Sequence, residues 1–352
     1  MQYDADERAY LWLCACTTTD YRTRSALLDS APSPKYLLEE PEKYFPAEER
    51  LYHADRRERE LEVDALISHL EKKGCFAVTL ISDDYPEQLK HISMPPLILY
   101  GMGRRELLQK RRFCIVGSRI TPPWAEKMGY AIAEELSEHF AIVTGLAEGG
   151  DSAAIAGALE SGNLICVLPC GITECYPAAH ASLKKKIAQR GLILSELLPG
   201  ERPKKYTFHA RNRILAALSE GVLVISAAKR SGTLITANYA LDFNRDVFAL
   251  PHNAGVKQGE GCNDLLKKGA FVVTDTEDIL NVYNIKHVDK KAVKLTAEEK
   301  AVLEMVRQSG DVHAAFISQN MGMSVFEAMA ILSALEIKGV AVRSGGNRFS
   351  AV

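Results

Sequence analysis

Short apolar runs alternate with segments of helical periodicity between residues 113 and 285. The runs predict strands at Phe113–Val116, Ala141–Thr144, Leu164–Leu168, Leu192–Ser195, Val222–Ser226, Val247–Leu250 and Phe271–Thr274. Helical patterns lie between them, at 124–138, 152–161, 182–189, 211–219, 233–243 and 262–268. Continuous apolar strands separated by helices are typical of a parallel sheet covered on both faces. The middle of the chain is therefore predicted to be a doubly wound, mostly parallel α/β domain.

The first 103 residues have a different pattern. Residues 1–75 contain an apolar stretch from Ala9 to Cys16 and a charged helical pattern from Glu48 to Lys73, which Gly74 would end. Residues 76–103 contain two strand-like runs that would lead into the sheet. We predict an N-terminal helical domain at 1–75 and the α/β domain at 76–285.

The C-terminal region combines helices with a hairpin. After a basic linker at 286–294, residues 295–352 show three helical patterns and two β-prone runs around Gly345-Gly346. Thr296 and Glu299 have the spacing of a helix capping box. Three helices with a hairpin suggest a winged helix, for which the charge favours a protein-contact or structural role over DNA reading.

Charge is distributed unevenly along the 352 residues, although the whole chain carries only −2. Residues 1–89 carry −8, residues 90–283 carry +4, residues 284–294 carry +3 and residues 295–352 carry −1. A polyanion would therefore bind the middle region. No apolar run approaches the ~20 residues that span a bilayer, and the polar N-terminus does not resemble a secretory signal, so a cytoplasmic protein is expected.

The eight cysteines include no C-x-x-C pair and no matching histidine spacing. We interpret them as reduced, mostly buried side chains, and no metal site is predicted.

Three strand-to-helix junctions carry candidate anion-binding residues, because ligands of open α/β sheets bind where strands end. Gly117, Ser118 and Arg119 follow the first strand, with a plain turn and an exposed arginine as the alternative. A glycine-rich turn from Gly145 to Gly149 precedes a helix that Asp151 could cap, which alone is a weak signal. The third junction, Lys229 to Thr233, combines two cations with Ser231-Gly232-Thr233 at a helix start and predicts a phosphate cradle.

Further cations lie between these junctions. Arg211-Asn212-Arg213 is predicted to open a helix, where two cations oppose the helix dipole and would be kept for an external anion. Lys184-Lys185-Lys186 is either a solvated face or an extension of the basic surface. His209 and His252 have no partner pattern, and no nucleophile motif is present, so no catalytic site is predicted.

An ordered set of motifs resembles the DprA/Smf family of bacterial DNA-processing and recombination-mediator proteins. It comprises Tyr85-Pro86, Pro95-Pro96, Leu99-Tyr100, Val116-Gly117-Ser118-Arg119, Gly145-Leu146-Ala147 with Gly149 and Asp151, Ala158-Leu159, Gly171, Tyr176-Pro177, Ser195-Glu196, Arg211-Asn212-Arg213, Ser231 to Ala237, Pro251, Gly261 with Asn263, and Gly269-Ala270.

The resemblance implies a Rossmann-like domain between an N-terminal domain of SAM or helix-hairpin-helix type and a C-terminal winged helix. It also implies a non-catalytic, cofactor-free protein that binds and protects single-stranded DNA and helps load a RecA-type recombinase during natural transformation in competence, usually as a homodimer. It implies phosphate contacts at Arg119, Arg211, Arg213 and Ser231-Gly232-Thr233, with one or more of Lys184 to Lys186 extending the groove. Together with the junctions, the predicted phosphate-binding residues are Gly117, Ser118, Arg119, Gly145, Gly149, Lys184, Lys185, Arg211, Asn212, Arg213, Lys229, Ser231, Gly232 and Thr233.

The chain departs from the family pattern at several positions. Glu148 stands where arginine is usual, Gly150 replaces isoleucine, and Ala154, Ser226 and His252 replace a histidine, an acid and a glycine. Glu148 reverses a charge beside the proposed groove. Two other functions remain open: a phosphoribohydrolase-like enzyme, although its Pro-Gly-Gly-x-Gly-Thr-x-x-Glu run is missing, and a transcription regulator that uses the winged helix.

Overall fold

The computed structural model describes residues 2–15, 20–45, 56–286 and 295–351. It contains two compact units, Met1–Asn284 and Ile285–Val352. The boundaries predicted for the N-terminal domain and the linker stay predictions, and 287–294 of that linker lie outside the described residues.

Four helices precede the sheet: α1 (Ala5–Ala15), α2 (Tyr21–Ser30), α3 (Lys35–Glu39) and α4 (Arg56–Lys72). The apolar run predicted from Ala9 is the buried face of α1. The segment from Glu48 to Asp55, predicted as helical, lies outside the described residues. Gly74 follows α4 with φ +65°, as expected for a glycine that ends a helix.

Nine strands form the main sheet, and they are β1 (Cys75–Thr79), β2 (Ile98–Gly103), β3 (Arg112–Gly117), β4 (Ala141–Thr144), β5 (Leu164–Val167), β6 (Leu192–Ser195), β7 (Gly221–Ser226), β8 (Asp246–Ala249) and β9 (Phe271–Val272). Their order is β1-β2-β6-β5-β4-β3-β7-β8-β9. From β6 to β9 all neighbours run parallel, whereas β1 and β2 add an antiparallel edge. The predicted α/β class is confirmed, and the apolar strands are buried because helices cover the sheet.

The helices of the sheet region are α5 (Glu87–Lys90), α6 (Pro123–Leu136), α7 (Gly150–Ala158), α8 (Ala181–Arg190), α9 (Lys205–Leu218), α10 (Thr233–Asp242), α11 (Glu260–Lys267) and α12 (Thr276–Val282). The predicted start of one of these helices was wrong. Helix α9 begins at Lys205 rather than at Arg211, because the Thr207 side chain accepts from the Lys204 amide at 3.0 Å and caps the helix after Pro203. Arg211 therefore lies in mid-helix, and the dipole argument for it does not hold.

The second unit has its own core and contains α13 (Ala297–Ser309), β10 (Val312–His313), α14 (Ala314–Met321), α15 (Val325–Ile337), β11 (Ala341–Gly345) and β12 (Arg348–Ala351). Its three strands pair antiparallel in the order β10-β12-β11. The predicted capping box is confirmed, since the Glu299 amide donates to Thr296 Oγ1 at 3.1 Å and the Thr296 amide donates to Glu299 Oε2 at 2.8 Å. The predicted hairpin is also confirmed, and it consists of the antiparallel strands β11 and β12.

No single helix among the described residues is both long and apolar enough to span a membrane. The pair α14 and α15 meets that length and composition only as two helices bent by 116°. Seven cysteines lie in the described ranges, all of them are free thiols, and all except Cys175 are buried.

Candidate functional site

The three predicted junctions meet at one edge of the sheet. They follow β3, β4 and β7, which are adjacent strands, and the carboxyl ends of parallel strands share an edge. The Ser118 amide donates to the Ser226 carbonyl at 2.8 Å, which ties the first junction to β7. The Gly150 amide donates to the Ser118 carbonyl at 3.1 Å, which ties it to α7. Adjacent strands thus gather segments that are about 110 residues apart in the chain.

A cavity of about 540 Å³ opens at this edge, and we call it the rim cavity. Eight of the residues predicted as phosphate contacts line it, namely Gly117, Ser118, Arg119, Arg211, Asn212, Ser231, Gly232 and Thr233. The structure therefore brings these residues together, while their contact with a phosphate stays a prediction.

Gly145 and Gly149 shape the rim from below instead of lining the cavity. A Cβ on Gly145 would lie 2.3 Å from Asp151 Oδ2 and 2.4 Å from Arg211 Nη1, so a larger residue there would collide with both side chains. Gly149 has φ +71°, and a Cβ there would lie 2.3 Å from the Ser118 carbonyl oxygen. Both glycines allow close approach of the segments that carry the lining residues.

Gly150, which replaces the isoleucine of the family pattern, also serves close packing. It is the first residue of α7, and a Cβ on it would lie 2.3 Å from Gly117 Cα. A larger side chain would push the helix away from the first junction. Asp151 is consequently inside the first turn of α7 and is not its N-cap residue, which is Gly149.

Arg211 and Asp151 are buried together in the cavity wall. Arg211 Nη1 donates to the Val167 carbonyl at 2.6 Å, and Asp151 Oδ2 accepts from the Ala147 amide at 3.3 Å. Burial raises the pKa of Asp151, against the opposing charge of Arg211, and burial likewise lowers the pKa of Arg211 against the charge of Asp151. Groups of the protein itself therefore interact with the Arg211 charge, which makes this charge less available to a ligand.

Arg119 has the opposite setting, because its side chain is exposed at the mouth of the cavity. Its guanidinium carbon lies 6.0 Å from the ring centroid of Tyr176 and 5.7 Å from that of Phe208. The two rings meet edge to face with centroids 5.3 Å apart. This arrangement places a forked cation beside two aromatic faces.

The predicted phosphate contacts leave out ten of the residues that line the cavity, among them Asp151, Tyr176, Lys205, Phe208 and His209. The last three belong to the run Lys204-Lys205-Tyr206-Thr207-Phe208-His209, where two lysines are followed by the aromatic residues Tyr206 and Phe208. That composition is a recognised signal for single-stranded nucleic acid, and it was available before the structure. The α9 start at Lys205 then turns part of the run towards the cavity.

The turn at Ser231-Gly232-Thr233 provides hydroxyl groups more than free amides. The Thr233 amide donates to Ser231 Oγ at 3.2 Å, and the amides of Leu234 and Ile235 each donate to turn carbonyls at 3.2 Å. The Ser231 hydroxyl itself donates to Thr233 Oγ1 at 3.1 Å. The Thr233 hydroxyl and the neighbouring cations, rather than the aligned amides of the predicted cradle, are therefore the groups that this turn offers to an anion.

Four cations that were predicted as phosphate contacts are not among the residues that line the rim cavity. Lys184 is buried, its Nζ donates to the carbonyls of Ile172 at 2.5 Å and Glu174 at 2.6 Å, and burial lowers its pKa. Lys185 is exposed on α8, away from this cavity. Arg213 forms an ion pair with the half-buried Glu196. Lys229 lines an adjoining cavity that shares Ser118, Arg119 and Ser231 with the first.

The other departures from the family pattern lie around the same edge. Glu148 is exposed in a small recess of about 90 Å³ that Arg119 and Tyr176 also line. Ser226 Oγ shares a 2.9 Å hydrogen bond with Ser118 Oγ. His252 is buried, its Nε2 lies 3.0 Å from the Ile225 carbonyl oxygen, and its ring is 4.7 Å from that of Trp124. In the described part of the chain, no group of three His, Cys, Asp or Glu side chains could hold a metal.

Comparison with known proteins gives consistent matches. Residues 76–284 match the family model described as DNA recombination-mediator protein A. The chain is 39% identical to the DNA processing protein DprA of Streptococcus pneumoniae over 203 residues, which cover 57% of this chain and 72% of that protein.

Two solved structures are also similar. The X-ray structure of DNA processing protein A from Streptococcus pneumoniae matches with a TM-score of 0.64 and 31% identity, covering 80% of this chain and 98% of the other. DNA processing protein A from Helicobacter pylori, described for its single-stranded DNA binding mode, matches with a TM-score of 0.55 and 31% identity over 60% of this chain and 95% of the other.

Proposed function

The chain belongs to the DNA recombination-mediator protein A family, and from this premise we propose that its rim cavity binds the sugar-phosphate backbone of single-stranded DNA. The observation that carries the proposal is Arg119, an exposed guanidinium beside the rings of Tyr176 and Phe208 in a cavity lined by hydroxyl groups. Sequence-independent binding of a single strand needs cations for phosphates and aromatic faces for bases. The single-stranded DNA binding of the similar Helicobacter pylori protein supports the same ligand.

The proposal includes a non-enzymatic role. We propose that the protein works in the cytoplasm, protects incoming DNA and helps load a RecA-type recombinase during natural transformation. The acid in the cavity wall, Asp151, accepts from the Ala147 amide and faces the charge of Arg211, which supports a structural use of this carboxyl. Release of free base from a mononucleotide would instead support the phosphoribohydrolase alternative.

We also propose a homodimer formed through the β9 edge of the sheet. In the described sheet β9 is the terminal strand, and Phe271 and Val272 are exposed by 44% and 52%. An apolar edge strand with unpaired backbone groups favours pairing with another chain. A second copy of the same strand satisfies both chains, because an isologous interface uses one surface twice.

For the flanking regions we propose a winged helix at 295–352 and a SAM or helix-hairpin-helix type of domain at the N-terminus. The order α13-β10-α14-α15-β11-β12, with β11 and β12 as a hairpin, supports the former. The short helices α1, α2 and α3 support the latter only as a helical region.

The test is fluorescence anisotropy with a labelled oligothymidylate at several salt concentrations. Arg119→Ala is expected to weaken binding by roughly 10- to 100-fold, since a charge-assisted hydrogen bond contributes about 1.5–3 kcal/mol. The matched control is Arg190→Ala, which removes an exposed arginine that pairs with Glu160 instead. Unchanged affinity in Arg119→Ala, or no salt dependence in the wild type, would overturn the proposal.

A further inference from the structure

A second cavity, of about 680 Å³, adjoins the rim cavity. Ser118, Arg119 and Ser231 line both cavities, so these residues form a shared ridge between them. Hydrogen bonds fix Ser118 in this ridge, since its Oγ donates to the Ile120 carbonyl at 2.7 Å and its amide donates to the Ser226 carbonyl at 2.8 Å. A flexible polymer that lies in the first cavity can therefore continue directly into the second.

The walls of the second cavity carry cations that the protein does not neutralise. Lys229, Arg230 and Lys257 are exposed there, and Glu260 is the acidic residue among the lining side chains. Within the described residues none of these three cations forms an ion pair with a carboxylate. By contrast, Arg104, Arg105, Arg111, Arg190 and Arg213 all have carboxylate partners in the same unit. Clustered cations without internal partners fit an external polyanion.

Apolar surface accompanies these cations. Ile120 lines the second cavity and is 76% exposed. Four residues later, in the first turn of α6, Trp124 is 43% exposed and its ring packs against the buried ring of His252. The Ile120 side chain thus offers a base an apolar contact beside the cations that would bind the phosphates.

The sequence run Lys229 to Thr233 is divided by the structure. Gly232 and Thr233 face the rim cavity, whereas Lys229 and Arg230 face the second one. A single cradle for one phosphate would place all of them around one point. The observed division instead presents phosphate-binding groups on both sides of Ser231.

We propose that the second cavity is a second nucleotide subsite, in which Lys229, Arg230 and Lys257 bind phosphates of the same strand after it crosses the Ser118–Ser231 ridge, and Ile120 supports a base. The proposal rests on the proposed function of the rim cavity. It adds Lys257 and Ile120 to the interface, and it sets the minimum length of strand that the protein binds fully.

The first experiment measures affinity against oligomer length, with oligothymidylates of about 4 to 16 nucleotides, the range of site sizes of small single-strand binding domains. Arg230→Ala/Lys257→Ala is expected to remove the gain in affinity from lengthening, by about tenfold, with the loss confined to the longer oligomers. For long oligomers, the slope of log affinity against log salt concentration should become less steep by roughly 0.7 for each phosphate contact that the double variant removes. The control is Lys127→Ala, an exposed lysine of α6 that lines neither cavity.

The second experiment tests the base. A single abasic site is placed at successive positions of a long oligomer. The wild type should bind most weakly the oligomer whose abasic site lies in the second cavity. Ile120→Ser should already bind more weakly and show no further loss at that position.

The outcomes separate the two proposals. Length-dependent loss in the double variant supports the second subsite. Equal affinity of wild type and double variant at every length, with Arg119→Ala still defective, overturns the second subsite alone. Absence of oligonucleotide binding by the wild type overturns the proposed function and this subsite together.

Discussion

The carboxyl rim of the sheet and the C-terminal unit use their cations differently. At the rim Arg119, Lys229, Arg230 and Lys257 are exposed in cavity walls, and in the described chain none is paired with a carboxylate. In residues 295–351, three of the five cations are paired: Lys338 with Glu299 at 2.6 Å, Arg348 with Asp311 at 2.7 Å and Arg343 with Glu336 at 3.7 Å.

The helix N-termini of the two regions also differ in whether a carboxylate lies beside them. Glu299 and Glu327 accept from the amides of the N-cap residues Thr296 and Ser324, so carboxylates lie at the N-termini of α13 and α15. No acidic residue lies in the first turn of α10 at the rim. On α15 the side chains of Phe326 and Ile337 are 89% and 87% exposed. The C-terminal unit therefore pairs most of its cations and exposes apolar side chains on α15, whereas the unpaired cations of the rim lie in the other unit.

Within the rim itself, Arg211 is the exception to this comparison and gives the largest expected effect. Arg211→Ala removes the charge that opposes the burial of Asp151, together with the hydrogen bond to the Val167 carbonyl, and should lower the free energy of unfolding by about 1–3 kcal/mol. Urea denaturation measures this change. The double variant Asp151→Asn/Arg211→Met removes both charges and should recover most of the loss; no recovery would contradict the electrostatic coupling of the two buried side chains.

Charge at the rim can also be increased. Glu148→Arg changes the local charge by two units beside Arg119 and should strengthen oligonucleotide binding several-fold at low salt, with the gain disappearing at high salt. Titrations at two salt concentrations check this expectation. Glu160→Arg makes the same change beyond the other end of α7, and an equal gain there would show that net charge, not the rim, is responsible.

The paired cations of the C-terminal unit predict a smaller, pH-dependent effect. The Lys338 ammonium, followed by the Thr296 amide, holds the pKa of Glu299 below its ordinary value of 4.5. A lowered folded-state pKa stabilises the unit above pH 4.5, and this contribution is lost as the pH falls through the folded-state pKa. In a carboxyl NMR titration, Lys338→Met should raise the pKa of Glu299, whereas Lys300→Met should leave it unchanged.

The smallest expected effect comes from removing the C-terminal unit. Truncation after Lys294 keeps the basic linker and should change oligonucleotide affinity less than about twofold, because the unit's cations are largely paired. Equilibrium binding by anisotropy is the measurement. A tenfold loss would reverse the comparison and favour the transcription-regulator alternative.

Much of the fold was predictable from local pattern. Ala141–Thr144 and Leu192–Ser195 have the predicted bounds, because continuous apolar runs buried on both faces are a direct signal of parallel strands. The start of α9 was missed, since its cap depends on the Thr207 hydroxyl and not on an apolar period. The site was predictable to the level of its junctions, and the aromatic pair of Tyr176 and Phe208 was not recognised, although the lysine and aromatic run at 204–209 was visible.

The sequence by itself determined the sheet, the junctions that meet at its edge and the family, because burial of apolar strands and turn chemistry are local properties of the chain. Only the tertiary structure decided which cations are free for a ligand. Lys184 is held by carbonyls of residues 172 and 174, Arg213 by Glu196 and Arg211 by Val167, whereas Arg119 and Lys257 remain exposed. The physical reason is that the charge available to a ligand depends on the non-local groups that folding brings within hydrogen-bond distance.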